Sequence, residues 1–332
     1  MGKASLAKAY APWFKVGAAV NHRTIKSHGP LIVQHFNSVT AENEMKFESL
    51  HKRPDSFSFD QADDILDFAT SHGIAMRGHT LVWHNQTPSW VFLDDQGRER
   101  PRAEMLGIMR HHIHAVVKHY QSKIYCWDVV NEAVADSGDE ILRPSPWLKQ
   151  VGEDYLAQAF WYAYESDNQA ALYYNDYNET DPIKREKIYR LVKQLLDQGV
   201  PIHGIGMQGH FKLNTINLDH VKAALDRYAS LGVRLQITEL DISLYDADDR
   251  TTDVKSPDPD RLALQADRYG ELFALFTEYA SVLDAVTLWG VADDENWLDD
   301  FPVKGRKDWP LLFDGEHQPK VALKRLFDQV DA

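Results

Sequence analysis

The sequence predicts an α/β fold, a single (β/α)8 (TIM) barrel running from residue 1 to residue 332. Three observations predict it. Eight short stretches rich in β-branched and aromatic residues alternate with stretches of helical period. Glycines close several helical stretches immediately before the next apolar run. No linker, internal repeat or low-complexity segment interrupts the alternation, at a length for which α/β barrels are usually one domain.

The expected strands are 14–20, 38–43, 75–83, 125–132, 171–176, 203–210, 234–241 and 284–290. Eight is the number that closes a parallel sheet into a barrel. Between them, Leu106, Met109, Ile113, Val116, Val117 and Tyr120 trace one helical face, and Ile188, Leu191, Val192, Leu195 and Leu196 another. Asp181 followed by Pro182 has the form of an N-cap with proline at the first helical position. Gly73, Gly199 and Gly232 each precede Ile or Val, so the chain is expected to leave the helix through a left-handed glycine. The acidic segment 245–260 follows the seventh strand and exceeds an ordinary βα loop; it is expected on the strands' C-terminal face as a wall or flap.

Composition narrows the partners. A formal charge of −14 argues against nucleic acid, whose phosphates it would repel. No apolar run approaches a membrane span, so no membrane partner is expected. Two lysines stand near the start without an apolar region behind them, so no signal peptide is read. Cys126 is the only cysteine and is expected to be an inert core thiol. The sequons at Asn85 and Asn178 fall where a glycan would obstruct a cleft. Together these point to a cytoplasmic protein; they leave its oligomeric state open.

In such barrels, chemistry is placed at the strands' C-terminal ends. Two of those ends are glutamates, Glu132 and Glu239. The remaining ends supply Glu42, Asn43 and Lys46; His79, Trp83, His84 and Gln86; Asn131; Asn175, Asp176 and Tyr177; Gln208 and His210; Asp241; and Trp289, with Trp297 beyond it. No metal-ligand pattern or phosphate-cradling glycine loop appears among them, so no metal or cofactor is expected. Amides and carboxylates bond sugar hydroxyls, and indole faces pack on the C–H faces of sugar rings. The inventory describes a saccharide site, and two carboxyl groups are what cleavage of a glycosidic bond requires.

Six stretches resemble family 10 of the glycoside hydrolases, the barrel-type endo-xylanases. They are Thr40-Ala41-Glu42-Asn43-Glu44-Met45-Lys46, Arg77-Gly78-His79-Thr80-Leu81-Val82-Trp83-His84, Trp127-Asp128-Val129-Val130-Asn131-Glu132-Ala133, Gly206-Met207-Gln208-Gly209-His210, Ile237-Thr238-Glu239-Leu240-Asp241 and Thr287-Leu288-Trp289-Gly290. They stand in the family's order, each on its strand, and cover almost the whole chain. The resemblance implies a retaining endo-1,4-β-xylanase acting on xylan and xylo-oligosaccharides by double displacement, with Glu132 as acid/base and Glu239 as nucleophile. It also implies that Asn43, Lys46, His79, Gln86, Asn131, Gln208, Trp289 and Trp297 surround the two sugars on the non-reducing side of the cut; Glu42 and His210 are expected among the substrate-binding residues as well. Trp83 would line the innermost of them and Tyr177 would flank the reducing side. It implies a cis bond between His79 and Thr80. His210, held by Asp241, could hydrogen-bond Glu239 and favour its charged form. The chain departs from many relatives at Asn296 and Leu298, where serine and arginine are common.

Other candidates have plainer readings. His111, His112, His114 and His119 are expected on a solvated helix face. Trp13, Trp90, Trp147, Trp161 and Trp309 are expected to pack or anchor loops, and Asp128 to serve a structural hydrogen bond. Two further functions stay open at this level: a barrel glycosidase of β-1,4-glucans, and an inactive carbohydrate-binding protein on the same fold. Space beside C5 of the innermost sugar separates the first from a xylanase, and the presence of both glutamates counts against the second.

Overall fold

The computed structural model describes residues 4–330. Its strands are β1 (Lys15–Val20), β2 (Ser38–Ala41), β3 (Ala75–Val82), β4 (Cys126–Asn131), β5 (Ala171–Asp176), β6 (Gly204–Met207), β7 (His210–Lys212), β8 (Arg234–Ser243) and β9 (Leu283–Leu288). β1 to β6 pair in sequence, β6 pairs with β8, β8 with β9, and β9 returns to β1, all in parallel. The barrel is therefore closed by eight strands, as expected. Each is followed by a helix on the outside: Gly29–His35, Asp60–Ser71, Arg102–His119, Tyr155–Ser166, Pro182–Asp197, Leu218–Ala229, Pro259–Glu278 and Val321–Val330. The strands are buried on both faces, which is why they read as nearly continuous apolar runs.

The punctuation behaves as its chemistry requires. The Asp181 side chain accepts from the backbone N–H groups of Ile183 and Lys184, capping Pro182–Asp197. Gly73, Gly199 and Gly232 all lie at positive φ. The sixth expected strand, 203–210, is in fact two. Gly209 takes φ +76°, and the chain resumes as β7, which pairs alongside β8 with His210 opposite Asp241.

One expectation fails. His112 is wholly buried, its ring stacked 3.6 Å from that of Phe47 and beside His51, so it is core and not solvated face. Burial holds its pKa well below the ordinary histidine value, and the neutral ring packs as an aromatic. Trp161 is 40% exposed and packs edge-on against Tyr164, with ring centroids 6.0 Å apart. The segment 245–260 lies beyond the C-terminal end of β8. Arg306, itself buried, ties it down by donating to the Asp249 carbonyl (2.8 Å) and lying 4.0 Å over the Tyr245 ring.

One polar cluster sits inside the barrel. The buried Arg77 guanidinium donates to Asp128 Oδ1 on β4 (2.7 Å) and to Gln236 Oε1 on β8 (2.7 Å). A buried charge is tolerated only when paired and hydrogen-bonded in this way. Asp128 thus fills the structural role expected of it. No helix among the described residues is long and apolar enough to cross a membrane.

Candidate active site

β4 ends at Asn131, and Glu132 follows at φ +56°, a left-handed conformation uncommon outside glycine. Its backbone N–H is held by the Asn175 carbonyl at 2.9 Å, and its own carbonyl accepts from Arg143 Nε at 3.1 Å. The side chain receives two hydrogen bonds, from Trp83 Nε1 to Oε2 (2.8 Å) and from Gln208 Nε2 to Oε1 (2.9 Å). Burial raises the Glu132 pKa, and the charges of Asp176 and Glu239 push the same way; the bonds from Gln208 and Trp83 oppose without cancelling.

Glu239 lies within β8, where its N–H donates to the Gln208 carbonyl (2.8 Å). Asn175 Nδ2 donates to its Oε1 at 2.9 Å, and His210 Nε2 lies 3.0 Å from its Oε2. Here burial also favours the neutral form, but the His210 hydrogen bond and the charges of His79 and His210 outweigh it, and the pKa falls. The two carboxyl groups are therefore driven apart, one toward the acid and one toward the anion.

His210 is the pivot of the second group. Its Nδ1 lies 2.9 Å from Asp241 Oδ2, so the ring is held between two carboxylates. Burial disfavours its charge, yet Asp241 and Glu239 raise its pKa to about 10. Trp297 Nε1 donates to the same Asp241 oxygen (2.8 Å), which fixes the indole beside His210. Asn296 caps the short turn Trp297–Asp299 and Leu298 is buried, so both departures from the common pattern have local structural uses. Trp289 is buried edge-on to the His79 ring, 5.4 Å between centroids. His79 Nδ1 lies 2.9 Å from Asp128 Oδ2 and 4.0 Å from Glu239 Oε1, and the His79–Thr80 peptide is cis.

On the opposite wall, Lys46 Nζ donates to Asn43 Oδ1 (2.9 Å) and Gln86 Oε1 (2.8 Å) and lies 5.1 Å over the Trp83 ring. Burial lowers the Lys46 pKa and raises that of Glu42, the two charges opposing this by attraction. Asn131 Oδ1 accepts from Asn175 Nδ2 (2.9 Å) and, more weakly, from Gln208 Nε2 (3.4 Å). A cavity of about 500 Å³ opens beside this wall, lined by Glu42, Asn43, Glu44, Glu295, Asn296 and Trp297. Tyr177 lies on the other side: its hydroxyl donates to Asp136 Oδ2 (2.5 Å) and accepts from Arg143 Nη2 (2.8 Å), with Lys184 Nζ 3.6 Å above its ring. A larger cavity, about 990 Å³, adjoins Asp136 and Arg143 and is also lined by Leu156 of the helix Tyr155–Ser166 and Leu191 of the helix Pro182–Asp197.

Asn175 and Arg143 are the residues that sequence reasoning undervalued. Asn175 is the last residue but one of the fifth strand, a position that could have singled it out as a partner of Glu239. Gly206 makes room for it: a Cβ there would stand 2.3 Å from Asn175 Oδ1. Arg143 sits in an aperiodic loop and carries no comparable signal.

Residues 5–329 match the family described as glycosyl hydrolase family 10. The chain is 53% identical over 325 residues to endo-1,4-beta-xylanase B of Paenibacillus barcinonensis, covering 98% of each. It is 54% identical over 323 residues to an endo-1,4-beta-xylanase of Geobacillus stearothermophilus, covering 97% of each. The crystal structure of xylanase XynB from Paenibacillus barcinonensis, complexed with a conduramine derivative, superposes with a TM-score of 0.96 at 53% identity, over 97% of this chain and 98% of that one.

Proposed function

Because the chain belongs to glycosyl hydrolase family 10 and is a retaining endo-1,4-β-xylanase, we propose that Glu239 is its nucleophile and Glu132 its acid and base, within one catalytic domain spanning residues 1–332. The observation that carries this assignment is the opposite bias of the two carboxyl groups: Glu132 is pushed up and Glu239 down.

In the first step Glu239 attacks the anomeric carbon while Glu132 gives its proton to the leaving oxygen, so the glycosidic bond breaks as the ester bond forms. Esterification removes the negative charge of Glu239, which had helped to raise the Glu132 pKa. Glu132 then accepts a proton from water, which attacks the anomeric carbon and releases Glu239. Asn131 is set to bond the sugar 2-hydroxyl, a contact that strengthens as oxocarbenium character develops. Asn43, Lys46, Gln86, His79 and Gln208 bond further hydroxyls on the non-reducing side with Glu42 beside them, and Trp83 lines the innermost sugar. Trp289 and Trp297 fill the space beside C5, where xylose has hydrogen and glucose a hydroxymethyl group. Tyr177 flanks the reducing side. Xylan-derived oligosaccharides are the substrates; no metal or cofactor takes part.

The test is a pair of variants on aryl xylosides, whose good leaving group needs no protonation. Glu239→Ala loses essentially all activity. Glu132→Ala keeps a substantial first step, and azide rescues the second. Equal losses in both variants would overturn the roles.

We further infer that the enzyme works on short xylo-oligosaccharides inside the cell. Its single cysteine is a buried thiol, and both sequons, Asn85 and Asn178, stand at the cleft. Fractionation of source cells tests this; enzyme found mainly in the medium without lysis would defeat it.

A further inference from the structure

Outside the cleft, three side chains from distant parts of the chain converge. His28 lies between the short helix Thr24–Ser27 and the helix Gly29–His35, on the connection after β1. Asp294 lies in the loop after β9, three residues before Trp297. His317 lies in the turn joining Phe313 to Pro319. His28 Nε2 is 2.9 Å from Asp294 Oδ1, and His317 Nε2 is 3.2 Å from Asp294 Oδ2. One ligand atom from each of the three lies within 4.8 Å of the others, and among the described residues this is the one such group of three.

We propose that His28, Asp294 and His317 bind a divalent transition-metal ion, Zn2+ in particular, on the outer side of the loop that carries Trp297.

The donor set is two imidazoles and a carboxylate with a position left for water, a combination that suits Zn2+ and its neighbours and not Mg2+ or Ca2+, which prefer oxygen alone. A tetrahedral ion with bonds of about 2.1 Å separates its ligands by about 3.4 Å. The present contacts, 2.9 Å to Oδ1 and 3.2 Å to Oδ2, run to different oxygens of Asp294, so the carboxylate must turn one oxygen toward both rings, and its side chain, 37% exposed, has room to do so. The rings are already close, with centroids 4.2 Å apart. His28 is also oriented from behind: its Nδ1 is 2.7 Å from Ser27 Oγ, which leaves Nε2 for the ion, the arrangement in which metal-ligating histidines are usually held. Its ring is 2% exposed, so it has no freedom to turn away. A surface ion pair accounts for one histidine on a carboxylate; it does not account for two rings brought from opposite ends of the chain onto its two oxygens.

The neighbouring residue Glu295 accepts from Asn21 Nδ2 and Arg23 Nη2. An ion at Asp294 would add a second tie between the same loop and the connection after β1, and so brace the approach to Trp297.

The test uses the whole chain stripped with EDTA and dialysed, then titrated calorimetrically with zinc chloride, with Co2+ as a spectroscopic probe. One Zn2+ per chain at micromolar affinity or better, a rise in Tm on saturation, and a visible Co2+ band of tetrahedral intensity are expected. His317→Ala, half-buried in a surface turn, should weaken binding at least tenfold while the unliganded Tm barely moves. Asp294→Asn should do the same to binding. No saturable uptake by the wild-type chain, or equal uptake by wild type and His317→Ala, would overturn the proposal.

Discussion

His210 Nε2 stands 3.0 Å from Glu239 Oε2, with the Nδ1 of the same ring 2.9 Å from Asp241. A cationic ring between two anions works in both directions: the carboxylates keep the proton on His210, and the proton keeps Glu239 charged. His210→Ala should therefore let the Glu239 pKa rise, moving the acid limb of kcat/KM to higher pH. A hydrogen bond to a charged group is worth about 1.5–3 kcal/mol, so a rate loss of roughly 10- to 150-fold at neutral pH is expected. A pH profile of lower amplitude with an unmoved acid limb would show that His210 does not hold the charge on Glu239.

The indole bond to Glu132 has the opposite use. Trp83 Nε1 favours the anion of Glu132 and so restrains the rise that burial causes. Trp83→Phe should carry the basic limb of the profile upward, because Glu132 then stays protonated to higher pH. Loss of rate without that upward movement would leave Trp83 as a sugar platform only.

Retention has its own readout. Two inversions restore the β configuration, and proton NMR of the first products from xylohexaose should show the β anomer before mutarotation. An initial α anomer would remove Glu239 from the role of nucleophile.

Gly206→Ala should damage both stability and rate. The new methyl would lie 2.3 Å from Asn175 Oδ1 and 2.8 Å from Thr238 Cγ2, displacing the amide that donates to Glu239. Overpacking of this kind costs about 1–3 kcal/mol, measurable in urea unfolding, and kcat should fall with it. A variant with wild-type unfolding and kcat would show that the site can relax around the methyl.

Glu179 gives stability a pH dependence of known sign. Burial raises its pKa from 4.5 to about 7. The folded state then binds more protons than the unfolded one between those values. Its contribution is complete below pH 4.5 and is lost as pH rises through about 7, up to about 3 kcal/mol at 1.36 kcal/mol per unit. Glu179→Gln should flatten the fall in Tm across that window; an unchanged slope would assign it to other groups.

The barrel was legible because its strands are apolar runs that end abruptly in polar residues, and because Gly73, Gly199 and Gly232 mark three helix exits. Glu132 and Glu239 were legible for the same reason. What escaped depends on contacts between remote segments. His112 counts as polar in any periodicity, yet its neutral ring stacks on Phe47, which lies 65 positions away by number (112 − 47). Gly209 breaks the sixth strand through its backbone, a choice that an apolar pattern does not record. The convergence of His28, Asp294 and His317 has no expression in spacing at all.

Arg77 holds Asp128 and Gln236 at once, and this has a geometric consequence at the rim. Asp128 lies four residues below Glu132 on one strand, and Gln236 three below Glu239 on another. A planar guanidinium, whose donors have fixed directions, is thus a caliper set between the strand that leads into Glu132 and the strand that carries Glu239. Retention calls for a gap of about 5–5.5 Å and inversion for about 6.5–9.5 Å, the extra room being for a water molecule. Any change in the spacing of those two strands would first have to undo these two buried hydrogen bonds.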